Sequence, residues 1–446
     1  MTTTIDATTR SKKFLSWARK WAVAIALVAV GLAISISNLS QHDEVFSPYD
    51  EWVYYDYVEK IPSQGFVRQG EDIGEPSLQA MACDGDPYGP RGEPCTGDNG
   101  VYDEPELYPQ SGKTSADLYT PVYFAITWLG AQVVTLFTGA ELLEAARATG
   151  PLWMVSGLLA LVLLFREFRV PRLLQLGLGL VTIGLTSSHY AFTYISTDAP
   201  ALVSGAVVAL LGAKFARTGK YGWWMVVAAI IATLLKIAFL FIVALVAIAL
   251  VLHALMKLRK GHPFRGGIDP SPARMIFMPV VAIGASLVAE VAWLAFRSIN
   301  SLGVSPDQGL ASTLSVAGLL SASYVFLVLR EGVNGNSSFV QFAMAPYSLI
   351  TAVGVIGWFF NNRGSGFNRS WSIATVVASV AFAPLMLVGM QLALNAVAPI
   401  SPRYALVLAP VFLVAIAAMV RNSIAIWVIL VYGGALSLFG LLGFIQ

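Results

Sequence analysis

Charged residues are scarce in this chain. Asp, Glu, Lys and Arg together make up 12% of its 446 residues, whereas soluble proteins carry about 25%. Hydrophobic residues account for 56%, and a chain with so little charge cannot build a water-soluble surface. The apolar residues form about eleven stretches of roughly the 20 residues that a helix needs to cross a bilayer. The sequence therefore excludes a set of soluble domains and predicts an all-α polytopic membrane protein.

Cysteine is nearly absent, and common motifs of soluble enzymes are missing. The chain has no basic block, no Cys/His spacing suited to zinc and no phosphate-binding loop, so nucleic-acid binding and ATPase chemistry have no support. The two cysteines, Cys83 and Cys95, share one polar stretch from 38 to 117. They are either free thiols or a disulfide, and the Pro, Gly and Asp residues between them favour a disulfide on an oxidising face.

Charge asymmetry along the chain predicts its orientation in the membrane. The polar stretch holds 17 of the 26 acidic residues but only four of the 28 basic ones. Five basic residues precede the first apolar run, which we interpret as an uncleaved span rather than a signal peptide. Because positive charge is retained in the cytoplasm, the N-terminus is predicted to be cytoplasmic and the acidic stretch extracytoplasmic.

Two apolar runs break the charge pattern if they cross the membrane. With 118–138 and 310–329 kept on the outer side, 19 of the 28 basic residues face the cytoplasm. We therefore expect 118–138 to be a re-entrant or juxtamembrane helix. The predicted segments are a cytoplasmic N-terminus at 1–20, a first span at 21–37, an extracytoplasmic loop at 38–147, spans two to seven at 148–296, a second extracytoplasmic loop at 297–343 and spans eight to eleven at 344–446.

An acidic and aromatic motif follows the first span. Asp50 and Glu51 are adjacent carboxylates, and Tyr54 and Tyr57 follow them. Carboxylates among aromatic residues at a membrane surface are candidates for a general base, a substrate contact or a cation ligand. The alternative is a solvated acidic loop, and the aromatic density argues against it.

Three charged residues lie within or beside apolar runs. Asp198 precedes Pro200 and either caps a helix or joins a site on the same face as Asp50. Lys236 divides a long apolar run, and because a charge at the bilayer centre costs about 3 kcal/mol or more, we expect the chain to turn there and place the ammonium outside. Snorkelling alone is the other explanation. Glu290 lies within the seventh span, where a carboxylate is either functional or paired with a cation.

Two arginines accompany Lys236 on the predicted outer face. Arg403 opens the tenth span, and Arg147 precedes the second. A lone arginine at a helix end usually anchors the helix, whereas several cations together suit an anionic lipid headgroup. These three cations are therefore candidate ligands of a phosphate.

In their order along the chain, these motifs resemble the GT-C superfamily of membrane glycosyltransferases, which use a polyprenyl-phosphate-linked sugar. Asp50-Glu51 looks like the superfamily's Asp-Glu loop motif, with Tyr54 where that motif has histidine. The stretch 117–123 is similar to its His-Pro-Pro-Leu-Tyr-Tyr segment on a juxtamembrane helix, with Thr120-Pro121 in place of Pro-Pro. Pro402-Arg403-Tyr404, with Pro410 in register, resembles its Arg-Tyr-x-x-x-x-x-Pro pattern. Protein O-mannosyltransferases and aminoarabinose transferases are relatives of the same kind.

The resemblance implies a GT-C-like fold and a specific reaction. A single sugar would move from a polyprenyl-phosphate donor to an extracytoplasmic glycan, lipid or protein, with inversion, at the outer face of the cell membrane. The site residues expected from the resemblance and the residue chemistry are Asp50 as catalytic base, Glu51, Tyr54, Tyr57, Asp198 and Glu290 for substrate binding, and Lys236, Arg403 and Arg147 for the donor phosphate. No cofactor is assigned with certainty, no metal ligand is named, and a divalent metal stays open.

Two other classes of protein remain. A transporter or flippase of a lipid-linked sugar would use the same cations and aromatic residues, and a membrane scaffold with a disulfide-bonded outer loop would need no site. A transporter should carry polar residues through both halves of the bilayer. Here they gather at one face, and no repeat of equal halves is visible, so an enzyme is favoured.

Overall fold

The described part of the chain is built of α-helices, as the apolar runs predict. The computed structural model describes residues 4–42, 46–47, 50–84, 104–265, 270–306, 313–328, 338–362, 366–394, 396–398 and 400–444. These ranges contain no β-strand, and the predicted all-α class is confirmed. The helices are α1 (Thr4–Ser40), α2 (Glu51–Gln64), α3 (Glu75–Asp84), α4 (Pro121–Thr138), α5 (Leu142–Arg147), α6 (Gly150–Glu167), α7 (Arg172–Ile183), α8 (Thr186–Thr193), α9 (Ala201–Thr218), α10 (Gly222–Leu235), α11 (Leu240–Arg259), α12 (Pro272–Ile299), α13 (Val316–Val328), α14 (Ser338–Asn361), α15 (Phe367–Leu394), α16 (Ala409–Met419) and α17 (Ser423–Leu441).

Ten helical segments within these ranges are long and apolar enough to cross a membrane, against about eleven predicted spans. Nine of the ten match predicted spans, and the tenth is α4. Two predicted spans correspond to the shorter helices α7 and α10. Helix α7 ends at Gly184 and is followed by α8, and α10 ends where Lys236 has an extended backbone with φ −163° and ψ 128°. The chain is a multi-pass membrane protein.

Helix α9 and the segment 402–419 form the centre of the bundle. Buried residues make up 67% of α9 and 72% of 402–419, but only 22% of α4. Glycine at position 205 allows α9 to approach this segment, because a Cβ there would lie 2.0 Å from the Val407 carbonyl oxygen. Small residues permit the same close approach in other membrane bundles. The turn that carries Arg403 is therefore held against the best-buried helix.

Helix α4 lies beside the starts of other helices along much of its length. Near its first turn, the Tyr123 hydroxyl accepts a hydrogen bond of 3.0 Å from the Ser196 N–H, just before α9. At its middle, a Cβ on Gly130 would lie 2.8 Å from Thr149, just before α6. These two points are about 10 Å apart along the helix axis, yet both meet the same end of the bundle. The contacts favour a juxtamembrane placement of 118–138, which stays a prediction.

The remaining loop predictions are only partly covered by the described residues. The run 310–329 contains α13, whose 13 residues measure about 20 Å and fall short of the roughly 30 Å hydrocarbon core. Its placement outside the membrane stays a prediction. The side chain of Cys83 and the whole of Cys95 lie outside the described residues, so the disulfide also stays a prediction.

The predicted topology can be tested by labelling single cysteines in a Cys83→Ser/Cys95→Ser background. Lys220 is exposed beyond the end of α9, and Ser301 is exposed beyond the end of α12. We expect Ser301→Cys to react with a membrane-impermeant maleimide in intact cells, and Lys220→Cys to react only after lysis.

The reverse pattern would mean that α4 crosses the membrane and that every later loop is inverted. Labelling both variants with a permeant maleimide provides the control, because it shows that each thiol is accessible to the reagent.

Candidate functional site

Four segments that are far apart in sequence meet at one end of the bundle. They are the N-terminus of α2, the turn before α9, the break after α10 and the 3₁₀ turn Pro402–Leu408 before α16. Each contributes one charged side chain: Asp50, Asp198, Lys236 and Arg403. Four residues that the sequence predicted on one face therefore form a single cluster.

The centre of the cluster is a buried ion pair between Lys236 and Asp198. The Lys236 Nζ donates to Asp198 Oδ1 at 2.5 Å, and both side chains are almost completely buried. An unpaired ammonium at this depth would cost several kcal/mol, roughly, in lost hydration. The extended backbone at Lys236 interrupts the helix and brings the ammonium to Asp198. The sequence anomaly at Lys236 thus has a tertiary partner, and the chain turns there as predicted.

Arg403 links this pair to the surface. Its Nη2 lies 3.3 Å from Asp50 Oδ2, and its Nε lies 3.8 Å from Asp198 Oδ2. The Tyr404 ring lies below both cations, with its centroid 5.2 Å from the Lys236 Nζ and 5.7 Å from the Arg403 guanidinium carbon. An aromatic face stabilises cations at this distance. Two positive charges are thereby held side by side.

Asp50 is the accessible member of the cluster. Its side chain is 46% exposed, whereas that of Arg403 is 17% exposed. The residue precedes α2 in a left-handed conformation with φ 58° and ψ 16°, and its side chain makes no capping bond to the helix. Left-handed backbone is uncommon outside glycine, although Asp tolerates it better than most residues. The carboxylate is directed to Arg403 instead of to the helix that it begins.

Three hydroxyl groups, those of Tyr54, Tyr119 and Thr197, lie on the Asp50 side of the cluster. The Tyr54 and Tyr119 hydroxyls are 3.2 Å apart, and Thr197 donates to the Tyr54 hydroxyl at 3.4 Å. Burial raises the pKa of both phenols well above the ordinary value, so both remain protonated donors. Tyr57 donates to the Tyr119 carbonyl at 3.2 Å and stacks on Phe124. These contacts attach α2 to the segment around Tyr119 and the start of α4, and they do not involve the four charged residues of the cluster.

Glu51 and Arg147 bind each other. The Arg147 Nε and Nη2 donate to the two Glu51 oxygens at 2.9 Å each, in a bidentate pair. The same carboxylate accepts the backbone N–H groups of Ser47 at 2.8 Å and Ile195 at 2.9 Å. With Glu51 completely buried and Arg147 nearly so, this arrangement joins α2, α5 and the α8–α9 turn. The predicted substrate and phosphate roles of these two residues stay predictions.

The segment Asp117–Thr120 is fixed to α12 and α10. The Arg297 Nε donates to Asp117 Oδ2 at 2.7 Å, and the Trp293 Nε1 donates to the Leu118 carbonyl at 3.2 Å. The Thr120 hydroxyl donates to the Leu234 carbonyl. The motif that resembled a juxtamembrane segment is therefore attached next to Lys236.

Glu290 lies apart from the four-residue cluster. It is buried in α12, and its Oε2 has no hydrogen-bond partner among the described residues. It lines a cavity that Lys236 also lines. Of the two alternatives for Glu290, pairing with a cation is not seen in the part of the chain that the structure describes, and the predicted role in substrate binding stays a prediction.

Several residues in and around the site were not singled out from the sequence. Tyr119, Tyr404 and Arg297 lie in or opposite motifs that were recognised, and their contacts depend on tertiary structure. His42 stacks on Tyr194 with centroids 4.1 Å apart, and burial together with Arg147 lowers the pKa of His42 to about 3. In the sequence, the aromatic residues at 189–194, shortly before Asp198, were the available signal that His42 and Arg147 have polar and aromatic neighbours here.

A metal ion does not fit the carboxylates of the cluster. Among the described residues, no group of three or more His, Cys, Asp or Glu side chains is arranged to hold one. Asp50 and Asp198 face Arg403 and Lys236, and Tyr54 occupies the position of the histidine in the resembling motif. The charges that oppose these carboxylates are supplied by the protein itself.

The Glu51–Arg147 pair generates a stability prediction. Because removing one partner leaves a buried charge uncompensated, Glu51→Gln and Arg147→Met should each lower stability by about 3–5 kcal/mol. The double variant should recover part of the loss. The measurement is the fraction of detergent-solubilised protein that stays monodisperse after heating.

The exposed pair Lys113–Asp72, with side chains 41% and 74% exposed, supplies the control. Lys113→Ala should change stability by at most about 1 kcal/mol. If the single variants at Glu51 and Arg147 lose no more stability than Lys113→Ala, the buried pair does not stabilise the structure.

Comparison with known proteins gives structural similarity alone. No protein-family model and no curated protein sequence matches the chain. The crystal structure of the Archaeoglobus fulgidus oligosaccharyltransferase tethered to an acceptor peptide with the NVT sequon is similar at a TM-score of 0.44 and 13% identity, over 96% of this chain and 55% of that one. The apo form of the same protein gives 0.43 and 14%, over 95% and 56%. The chain thus spans about half the length of these structures.

Proposed function

We propose that this protein is a membrane glycosyltransferase of the GT-C type. It transfers a single sugar from a polyprenyl-phosphate donor to a hydroxyl group of an extracytoplasmic glycan, lipid or protein. One observation carries the proposal: a half-exposed carboxylate, Asp50, lies against Arg403, which continues into the buried Lys236–Asp198 pair. A base beside two held cations is the arrangement that displacement of a lipid phosphate by a hydroxyl requires.

The cations act on the leaving group. As the bond from the sugar C1 to the phosphate oxygen breaks, its electron pair leaves with the polyprenyl phosphate. Arg403 and Lys236 stabilise this developing negative charge, and their fixed positions spare the cost of rearranging solvent at that moment. Arg403 is the more exposed of the two, and it meets the phosphate first.

Asp50 acts on the acceptor. Its carboxylate takes the proton of the acceptor hydroxyl while that oxygen forms the new bond to C1. Displacement in one step, from the side opposite the phosphate, inverts the anomeric centre. Asp198 orients the two cations, and the hydrogen-bonded hydroxyls of Tyr54 and Tyr119 supply neutral polar groups beside Asp50.

Glu51, Arg147 and Tyr57 support the site by position. The Glu51–Arg147 pair fixes the N-terminus of α2, which sets the direction of Asp50. The site belongs at the outer face of the cell membrane, where nucleotide sugars are absent and a lipid carrier brings the sugar. The positive-inside distribution of basic residues supports this orientation.

Replacement of Asp50 tests the general base. Asp50→Asn keeps the size of the side chain but cannot take a proton, so turnover should fall about 10²–10⁴-fold. Binding of the donor should persist. The assay is transfer of radiolabelled sugar from a panel of polyprenyl-phosphate sugars to lipid and polymer fractions of membranes.

The matched control is Asp72→Asn, an identical change at an exposed carboxylate of the same outer stretch. It should retain wild-type turnover. Asp50→Asn turning over as fast as Asp72→Asn would remove Asp50 as the base, and donor binding without any covalent transfer in the wild type would favour a transporter.

Replacement of the cations tests the phosphate site. Arg403→Gln and Lys236→Met should each weaken binding of a polyprenyl phosphate by about 10- to 100-fold, since each removes a charge-assisted contact. Binding is measured by the quenching of intrinsic tryptophan fluorescence on titration with the lipid.

Lys113→Gln removes a positive charge from the same outer stretch, away from the cluster, and should change the affinity less than about twofold. Equal affinities in wild type, Arg403→Gln and Lys236→Met would leave both cations as structural partners of Asp50 and Asp198.

A further inference from the structure

Glu290 belongs to a face of α12 that is directed at the segment Asp117–Thr120. Residues 290, 293 and 297 share this face because they are three and four positions apart. Trp293 hydrogen-bonds to the Leu118 carbonyl, and Arg297 binds Asp117. Glu290 lies one turn deeper, and within the described ranges its Oε2 has no partner although the residue is 95% buried.

The missing partner is significant because of where Glu290 lies. A carboxyl group within a membrane-spanning helix is costly to bury unless it is hydrogen-bonded or paired. On this face Trp293 and Arg297 are engaged by protein groups, whereas Glu290 Oε2 and, one turn deeper, Ser286 Oγ have no partner among the described residues. An unsatisfied buried group of this kind calls for a ligand that brings hydrogen-bond donors.

A cavity of about 100 Å³ adjoins Glu290. Because one buried water needs about 10–15 Å³, this space can hold several waters, or hydroxyl groups of a ligand in their place. Its other polar side chains are already engaged: Thr120 donates to the Leu234 carbonyl, Thr233 to the Ala229 carbonyl and Lys236 to Asp198, and the Tyr119 hydroxyl accepts from Tyr54. Glu290 is the unsatisfied polar group of the described lining.

The cavity lies between Lys236 and an exposed apolar residue. Lys236 lines it, and so does Ile237, which is 50% exposed and in a membrane-spanning bundle is suited to contact with lipid. Asp50 does not line it. A lipid-linked donor can therefore keep its tail in the bilayer, place its phosphate at Lys236 and extend its sugar toward Glu290, while the acceptor approaches from the Asp50 side.

We infer that Glu290 accepts hydrogen bonds from hydroxyl groups of the donor sugar and selects which sugar is transferred. This inference rests on the proposed function. A phosphate is a poor occupant because it brings no donors and carries the charge of a carboxylate, whereas a sugar hydroxyl is the donor that a carboxylate binds well. Glu290 is thus a specificity-determining residue for the sugar.

The test compares a donor with and without its sugar. The probes are farnesyl phosphate and a panel of farnesyl-phosphate hexoses and pentoses, titrated against the full-length wild type, Glu290→Ala and Glu290→Gln in detergent. For the best-bound sugar donor, Glu290→Ala should weaken binding about 10- to 100-fold. Binding of farnesyl phosphate should change less than about twofold, because Glu290 does not contact the phosphate.

Selectivity provides the second readout. Removing single hydroxyls from the best donor sugar should weaken its binding to the wild type, and at one hydroxyl the loss should disappear in Glu290→Ala. Glu290→Gln, which keeps the shape and one acceptor oxygen, should restore part of the affinity and of the discrimination. These effects separate contact with the sugar from a merely structural role, which would weaken all ligands alike.

Two outcomes would overturn the inference alone, and a third would overturn the proposed function as well. Equal losses for farnesyl phosphate and for the sugar donors, or no loss for either, would show that Glu290 does not contact the sugar, with the proposed function intact. Failure of the wild type to bind farnesyl phosphate and every sugar donor would refute the proposed function and this inference with it.

Discussion

The buried pair between Lys236 and Asp198 is the interaction on which the rest of the structure depends. Neither charge can stay at this depth alone, since removing one partner of such a pair costs about 3–5 kcal/mol. To bring the ammonium to the carboxylate, α10 ends at Lys236 and the turn after α8 places Asp198 before α9. Arg403 then lies within 3.8 Å of the same carboxylate because the turn Pro402–Leu408 packs on α9. The end of α10 at Lys236, the start of α9 after Asp198 and the close approach of Gly205 to Val407 all help to form this ion pair and its contact with Arg403.

The charge pairs at this end of the bundle divide into closed and open ones. The pair of Glu51 and Arg147 is closed: it is buried and bidentate, and the Glu51 carboxylate also accepts two backbone N–H groups. Asp50 and Arg403 are joined by one longer contact of 3.3 Å at an exposed rim. Closed pairs specify a structure, whereas an open pair can exchange its partner for a substrate at small cost. The adjacent carboxylates Asp50 and Glu51 thus lie in opposite environments, one exposed and one buried, which is why we propose different roles for them.

Much of the site could be predicted because charge is rare in this chain. Asp198, Lys236 and Arg403 stood out as charges beside apolar runs, and the positive-inside rule placed them on one face. Which of these charges pair with each other could not be predicted. Asp50 and Arg403, for example, are separated by 353 positions, and no local pattern links them. The same limit applies to Arg147, whose pairing with Glu51 across 96 positions could not be predicted from any local pattern. Helix α4 was the hardest element to place from the sequence. Its length and hydropathy suit a membrane span, whereas its contacts are with segments at one end of the bundle.

The segment Asp117–Thr120 gives these parts a common geometry. The Tyr119 hydroxyl faces Tyr54, on the side of Asp50 where we propose that the acceptor binds, while Tyr119 and Thr120 also line the cavity next to Glu290. Leu118 and Asp117 are bound to α12 one and two turns, respectively, above Glu290. One short stretch of backbone therefore contacts both the Tyr54 side and the cavity, and it fixes the distance between them. A displacement reaction requires its nucleophile and leaving group on opposite sides of one carbon, and in the proposed reaction a segment held rigidly by α12 would fix the two groups relative to each other.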